Sequence, residues 1–250
     1  MKSPSVIAVG GPAGVGKTTW LRQKFLPTSL LYFCPGVDPV PIDLACVKAE
    51  FPAVEVLTNG QESRLFAAAE SSLILIEIGF QLDLAMITPL LEALAAQRVA
   101  ILPIGAVQTS WHYWAERIEA GINLPAISAQ AQLWRAALIG RVFDPASLEM
   151  FWFELTAGAY GQIDRAKGIF DLSDGQLAYF DFVNGLPENR SRRLPVPVWL
   201  QGRPRRFSGI EVVGQSLDRE QIARTLHDCC LSDPAIADAQ AQLLANLALS

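Results

Sequence analysis

The sequence predicts an α/β domain with a mostly parallel sheet, helices on both faces, and a small α+β domain after it. Three observations lead there. Short, continuous apolar runs alternate with helix-patterned stretches through the first half of the chain, the pattern of parallel strands buried on both sides. A glycine-rich turn follows the first of these runs. After about residue 147 the alternation stops, and strand-like runs follow one another directly before a last amphipathic stretch.

The elements follow in order. Val6-Ile7-Ala8-Val9 is β-branched and ends at glycines, so it reads as a buried strand. Thr18 to Phe25 reads as a helix closed by Pro27. Leu30 to Phe33, Val54 to Leu57, Leu73 to Ile76 (reaching Glu77) and Val99 to Leu102 are further apolar runs, each stopped by glycine, proline or Asn-Gly. Gln61 to Ser71 and Ile87 to Gln97 are the helical stretches between them, and Ala136 to Ile139 is a candidate sixth strand. Ser147 to Tyr160 reads as a helix, and Ile169 to Leu172, Gln176 to Val183, Val196 to Leu200 and Ile210 to Val213 as strands. Asp218, with Gln221 three residues on, has capping-box spacing for a helix through Cys230. These readings divide the chain into 1–147, 148–233 and a terminal helix or tail at 234–250.

Composition narrows the classes of function. The chain has 250 residues, 51% of them apolar and 18% charged, with a net charge of −5. That supports a sizeable core and argues against disorder. The basic clusters Arg190–Arg193 and Arg203–Arg206 are short and read as solvated loops, so a nucleic-acid surface is not expected. The apolar run Ser5 to Gly10 is too short for a signal peptide, and no uncharged run reaches a membrane span. Cys34, Cys46, Cys229 and Cys230 form no paired framework, so a reducing, cytoplasmic setting is the expectation. His112 and His227 stand alone and read as packing or surface residues.

Gly11-Pro12-Ala13-Gly14-Val15-Gly16-Lys17-Thr18 satisfies G-x-x-x-x-G-K-[ST], between a buried strand and a helix. Glycines let the backbone wrap an anion with dihedrals other residues resist. Converging amides, with the positive end of the helix, suit a polyphosphate. Lys17 is placed to reach the β- and γ-phosphates and Thr18 to ligate Mg²⁺. The expected ligand is a nucleoside triphosphate with Mg²⁺, on a P-loop NTPase fold. The bland alternative is a structural glycine turn.

Further segments carry a resemblance. Gly11 to Thr19 (GPAGVGKTT), Val54 to Gly60 (VEVLTNG), Leu73 to Gly79 (LILIEIG), Arg165 to Phe170 (RAKGIF) and Ile210 to Leu231 (containing VVGQSLDREQIARTLHDCCL) resemble, in the same order, the CobW-type P-loop GTPases, a family linked to metal-cofactor delivery and metalloenzyme maturation. The resemblance implies a phosphate loop at Gly11 to Thr19, a catalytic or metal-handling role for Glu77, and an acidic switch residue at Asp43 near Mg²⁺. It also implies a C-terminal domain that meets a metalloprotein client.

The departures are specific. The family's Cys-x-Cys-Cys is replaced by Gln61-Glu62-Ser63, so no transition metal is expected there. Its Glu is followed by two residues and then Gly, whereas here Ile78 alone separates Glu77 from Gly79. Its guanine-reading Asn-Lys-x-Asp has a nearest counterpart in Gly140-Arg141-Val142-Phe143-Asp144. Asp144 either accepts from a guanine edge or, as Asp before Pro145, opens the next helix.

The expected activity is binding of GTP or ATP with Mg²⁺, slow hydrolysis, and a relaxed base preference. A nucleotide-binding regulatory module that does not hydrolyse, and an ATP-dependent small-molecule kinase, are the alternatives.

Overall fold

The computed structural model describes residues 5–25, 30–36, 40–123, 130–186 and 190–248. The chain forms two compact units, Met1–Pro125 and Ala126–Ser250. The division expected at 147 thus falls inside the second unit.

The first unit runs β1 (Val6–Gly10), α1 (Lys17–Arg22), β2 (Leu30–Phe33), α2 (Ile42–Glu50), β3 (Glu55–Leu57), α3 (Glu62–Ala68), β4 (Leu73–Glu77), α4 (Leu84–Ala93), β5 (Gln97–Leu102), α5 (Ser110–Trp114) and β6 (Arg117–Ala120). Its strands pair in the order β3-β2-β4-β1-β5-β6, all parallel. Strand side chains alternate between faces. Val6 and Ala8, Leu31 and Phe33, and Ile74, Ile76 and Ile78 point to one face, where they pack with Leu65, Ile87, Leu91 and Trp114 of the helices. Val9, Leu30, Tyr32 and Leu75 point to the other and pack with Leu21, Leu44 and Val47. This double burial explains why the strands read as unbroken apolar runs.

α2 spans a stretch that carries no helix signal beyond a weak amphipathic pattern. Its amino end is capped by no side chain. The edge strand β6 is short, polar and exposed, so periodicity does not mark it either.

The second unit runs β7 (Gln132–Ala137), β8 (Val142–Phe143), α6 (Pro145–Ala157), β9 (Gln162–Leu172), β10 (Leu177–Val183), β11 (Arg190–Arg193), β12 (Gly209–Gln215), α7 (Arg219–Asp228) and α8 (Asp233–Ala248). Its sheet has the order β11-β10-β9-β12-β7 with antiparallel neighbours, and β8 lies parallel to β9. The expected sixth strand of the parallel sheet is therefore corrected. Residues 132–137 pair with β12 here, and β6 takes the sixth place in the first unit.

One face of this sheet packs under α6 and α7. Phe170 stands edge-on to Phe143, Trp152 and Phe180 at the centre of the core. Asp218 caps α7 by accepting from the Gln221 amide, as its spacing predicts. Two other expectations change. Val196 to Leu200 is irregular rather than a strand, and Arg190–Arg193 is an edge strand rather than a loop. No helix among the described residues is long and apolar enough to cross a membrane.

Arg206, read from sequence as solvated, is a clamp. Its Nε donates to Asp171 Oδ1 at 2.6 Å, while its two terminal nitrogens donate to the Pro197 and Gly175 carbonyls. Asp171 is 1% exposed, and burial pushes its carboxyl up to about 6 despite the pull of Arg206. Removing one partner of a buried ion pair typically costs about 3–5 kcal/mol, because the other charge stays buried. Arg206→Ala should lose stability of that order at pH 7 in urea unfolding, and Asp171→Asn less. Without Arg206 the Asp171 carboxyl rises further. The variant takes up that proton at a higher pH than the parent does, so the deficit of Arg206→Ala should shrink as pH falls towards about 6 and stay level below it.

Candidate functional site

The candidate site lies at the carboxyl ends of the parallel strands, where a glycine-rich loop joins β1 to α1. The chain leaves β1 at Gly11, which has φ +144°, and turns through Gly14 at +78° and Gly16 at +99°. These are left-handed values that favour glycine. At Gly11 the space is closed too, since a Cβ there would collide with the Ile101 carbonyl oxygen of β5. Val15 is buried in the core, and its carbonyl accepts from the Ile122 amide just after β6. The loop is thus anchored from two neighbouring strands. Among the described residues, its turn and loop hydrogen bonds include none donated by the Ala13, Gly14, Val15 or Gly16 amides. Such groups suit an anion.

Lys17 is 7% exposed, and its ammonium lies over the loop, donating to the Gly11 carbonyl at 2.9 Å and the Pro12 carbonyl at 2.7 Å. Thr18, one residue on, donates from Oγ1 to Glu77 Oε1 at 2.8 Å. Glu77 ends β4, which is the neighbour of β1, with Val9 paired to Glu77. The pairing carries the carboxylate across to the first residues of α1. Its other oxygen, Oε2, accepts from the Tyr32 hydroxyl at 2.6 Å. Burial raises the Glu77 carboxyl above its ordinary value and the nearby Asp43 charge adds to this, while Lys17 and the two hydroxyl donors pull it down. Tyr32 is raised well above its ordinary value, first by burial and then by the Glu77 charge. Asp43 sits in the first turn of α2, close enough to act on both groups.

The structure therefore brings together Gly11, Pro12, Ala13, Gly14, Val15, Gly16, Lys17, Thr18 and Glu77, with Asp43 beside them. Thr19 is exposed. Asp144 has a different task, in the second unit. Its carboxylate accepts from the Ser147 amide and the Ser147 hydroxyl, both at 2.8 Å, and so caps α6. That is the helix-opening alternative for Asp-Pro. The strand that occupies the sixth place, β6, is followed by Gly121-Ile122-Asn123. There Gly121 approaches Val15 so closely that a Cβ would collide with it.

Gln61 and Glu62, in place of the thiolates, close a turn. Gln61 accepts from Thr58 and Glu62 from the Gly60 amide. His112 accepts at Nδ1 from the Thr109 amide and makes a capping box at α5. Sequence reasoning missed Tyr32, because a tyrosine within an apolar run carries the same signal as any core aromatic.

The donor set suits Mg²⁺ with a polyphosphate. Thr18 and Glu77 offer hard oxygens side by side, and Lys17 with the loop amides offers positive charge.

Among comparisons with known proteins, the model of the cobalamin synthesis protein CobW C-terminal domain matches residues 138–230. This part of the chain is similar to that domain. Two solved structures are similar at 12% identity, covering 92% of this chain and 99% of theirs. They are the Zn(II)-bound YjiA GTPase from E. coli, at a TM-score of 0.33, and a Zn(II)-bound triple mutant of YjiA, at 0.32. At such TM-scores neither carries an argument about this chain, and the similarity that stands is that of residues 138–230. No curated protein matches the chain. The CobW C-terminal domain takes in β8 to α7, from just after the edge strand β7.

The loop geometry sets one test. Gly11→Ala meets both a disfavoured dihedral and a backbone oxygen, the kind of backbone effect that costs at least about 1–3 kcal/mol. Thermal unfolding should show that loss, whereas Ala13→Gly, at a residue with no positive φ, should cost about 1 kcal/mol or less.

Proposed function

We propose that the amino-terminal unit binds a nucleoside triphosphate with Mg²⁺ and hydrolyses it slowly. The carboxy-terminal CobW domain would couple the nucleotide state to a metalloprotein client. The observation that carries this reading is the ammonium of Lys17 held over a glycine loop, with the Thr18 hydroxyl at 2.8 Å from Glu77. When bound, Mg²⁺ would be held by Thr18 and by Glu77, directly or through water, and would neutralise charge on the phosphates. Lys17 and the loop amides orient the phosphate chain and share its charge. Asp43 and Glu77 are the groups available to orient water.

Affinity and selectivity separate on magnitude. Hydrogen bonds to charged groups contribute about 1.5–3 kcal/mol each, and micromolar binding needs about −8 kcal/mol. A few phosphate contacts reach that without the base. Rejecting the wrong base needs a polar site that the wrong base leaves unpaired. The chain after β6 reads Gly121-Ile122-Asn123 and carries neither the lysine nor the aspartate of a guanine reader. Asp144 is engaged as a helix cap. Both facts support a relaxed choice between GTP and ATP.

A second reading, a binding module without useful turnover, is favoured by one observation. Both oxygens of Glu77 already accept hydrogen bonds, from Thr18 and Tyr32. Water would then rely on the remaining lone pairs of Glu77 or on Asp43.

Titration of the full chain with GTP and with ATP, each with Mg²⁺, should give dissociation constants of about micromolar order that differ by less than about tenfold. Lys17→Ala should weaken both by about a hundredfold, the loss of more than one charged contact. Strong preference for GTP would overturn the relaxed-base reading, and absence of saturable binding the whole proposal. Release of inorganic phosphate above the rate of Lys17→Ala separates the hydrolase from the module.

A further inference from the structure

The hydroxyl of Tyr32 has no role in a bare phosphate loop, yet it makes the shorter of the two contacts to Glu77, 2.6 Å against 2.8 Å from Thr18. Tyr32 is 0% exposed, in β2 beside β4, and its ring stands edge-on to Phe25 at 5.9 Å. Its ring is therefore fixed by packing. The Glu77 side chain is not fixed in the same way. The terminal torsion of a glutamate is broad, and a carboxylate with one hydrogen bond can turn to present either oxygen. The strand alternation puts Tyr32 and Glu77 on the same face of the sheet as α1. Tyr32 holds Oε2 from the strand side, and Oε1 is left facing Thr18.

We infer that Tyr32 is a positioning residue, which locks Glu77 so that Oε1 shares with Thr18 the place where a divalent cation on a nucleotide would be held. The inference rests on the nucleotide reading above and adds a residue that the phosphate-loop pattern does not contain. A buried tyrosine hydroxyl commonly finds some partner. Here that partner is the one carboxylate that also meets the loop's threonine, and this separates positioning from mere satisfaction of a buried group. If Tyr32 acts through Glu77, its removal has no effect once Glu77 is gone.

The test is a double-mutant cycle on the full chain, with GTP and ATP as probes, in Mg²⁺ and in EDTA. Tyr32→Phe keeps the ring and removes the hydroxyl. It should weaken nucleotide binding in Mg²⁺ about tenfold, the size of one charge-assisted hydrogen bond. In EDTA its binding should stay within about twofold of the parent. In a Glu77→Ala background the same substitution should change nothing in either condition.

Equal weakening with and without Mg²⁺, an effect that persists in Glu77→Ala, or no effect at all would each overturn the inference. Should Tyr32→Phe not fold, the four tyrosines are replaced biosynthetically by 3-fluorotyrosine, which retains the hydroxyl. The fluorine resonance of residue 32 should then shift when Mg²⁺ is added to nucleotide-loaded protein, and stay still in Glu77→Ala. A resonance that does not move in the parent, or that moves equally in both, overturns it. Failure of the parent chain to bind either nucleotide is a different result, which removes the nucleotide reading and this inference with it.

Discussion

A carboxylate buried at the end of a parallel strand is the constraint around which the first unit is organised. Glu77 is 5% exposed, and an isolated charge there would be expelled or neutralised. It is kept by Lys17 at the start of α1 and by two hydroxyl donors, one from α1 and one from β2. Each donor is delivered by a different element, so the position of Glu77 depends on the order β2-β4-β1 in the sheet. Were another strand inserted between β4 and β1, Thr18 and Glu77 could not meet.

The same sheet also shapes the glycine loop. Gly11 is pressed against the Ile101 carbonyl, and Val15 is held by Ile122 from just after β6. The loop's backbone is thus fixed by its own sheet. Lys17 reaches back to the Gly11 and Pro12 carbonyls, and its charge also acts on Glu77. On the proposed reading, phosphate oxygens would take the place of those carbonyls as stronger acceptors. Preorganisation of this kind lowers the ordering cost of binding.

The second unit solves a different problem. Its sheet is antiparallel, covered on one face by α6 and α7 around the cluster of Phe143, Trp152, Phe170 and Phe180. The irregular chain between β11 and β12 is tied down by Arg206, whose three nitrogens meet Asp171, Pro197 and Gly175. A charge-rich stretch that looks solvated in sequence thus becomes a structural joint. Its meaning depends on an acidic partner, Asp171, that lies far away along the chain.

The sequence by itself determined the parts set by local chemistry. The glycine loop follows from glycine spacing, β1, β2 and β4 from unbroken apolar runs, and the α7 cap from Asp218 and Gln221. It also left Asp144 balanced between a base contact and a helix cap, because Asp-Pro satisfies both patterns. What only the tertiary structure decided is which distant residues meet. The capping of α6 by Asp144, the membership of residues 132–137 in the second sheet, the shift of the sixth parallel strand to 117–120, and the grip of Tyr32 on Glu77 all depend on strand pairing. Pairing is a long-range choice, and a polar edge strand or a tyrosine in an apolar run carries no local mark of the partner it will find.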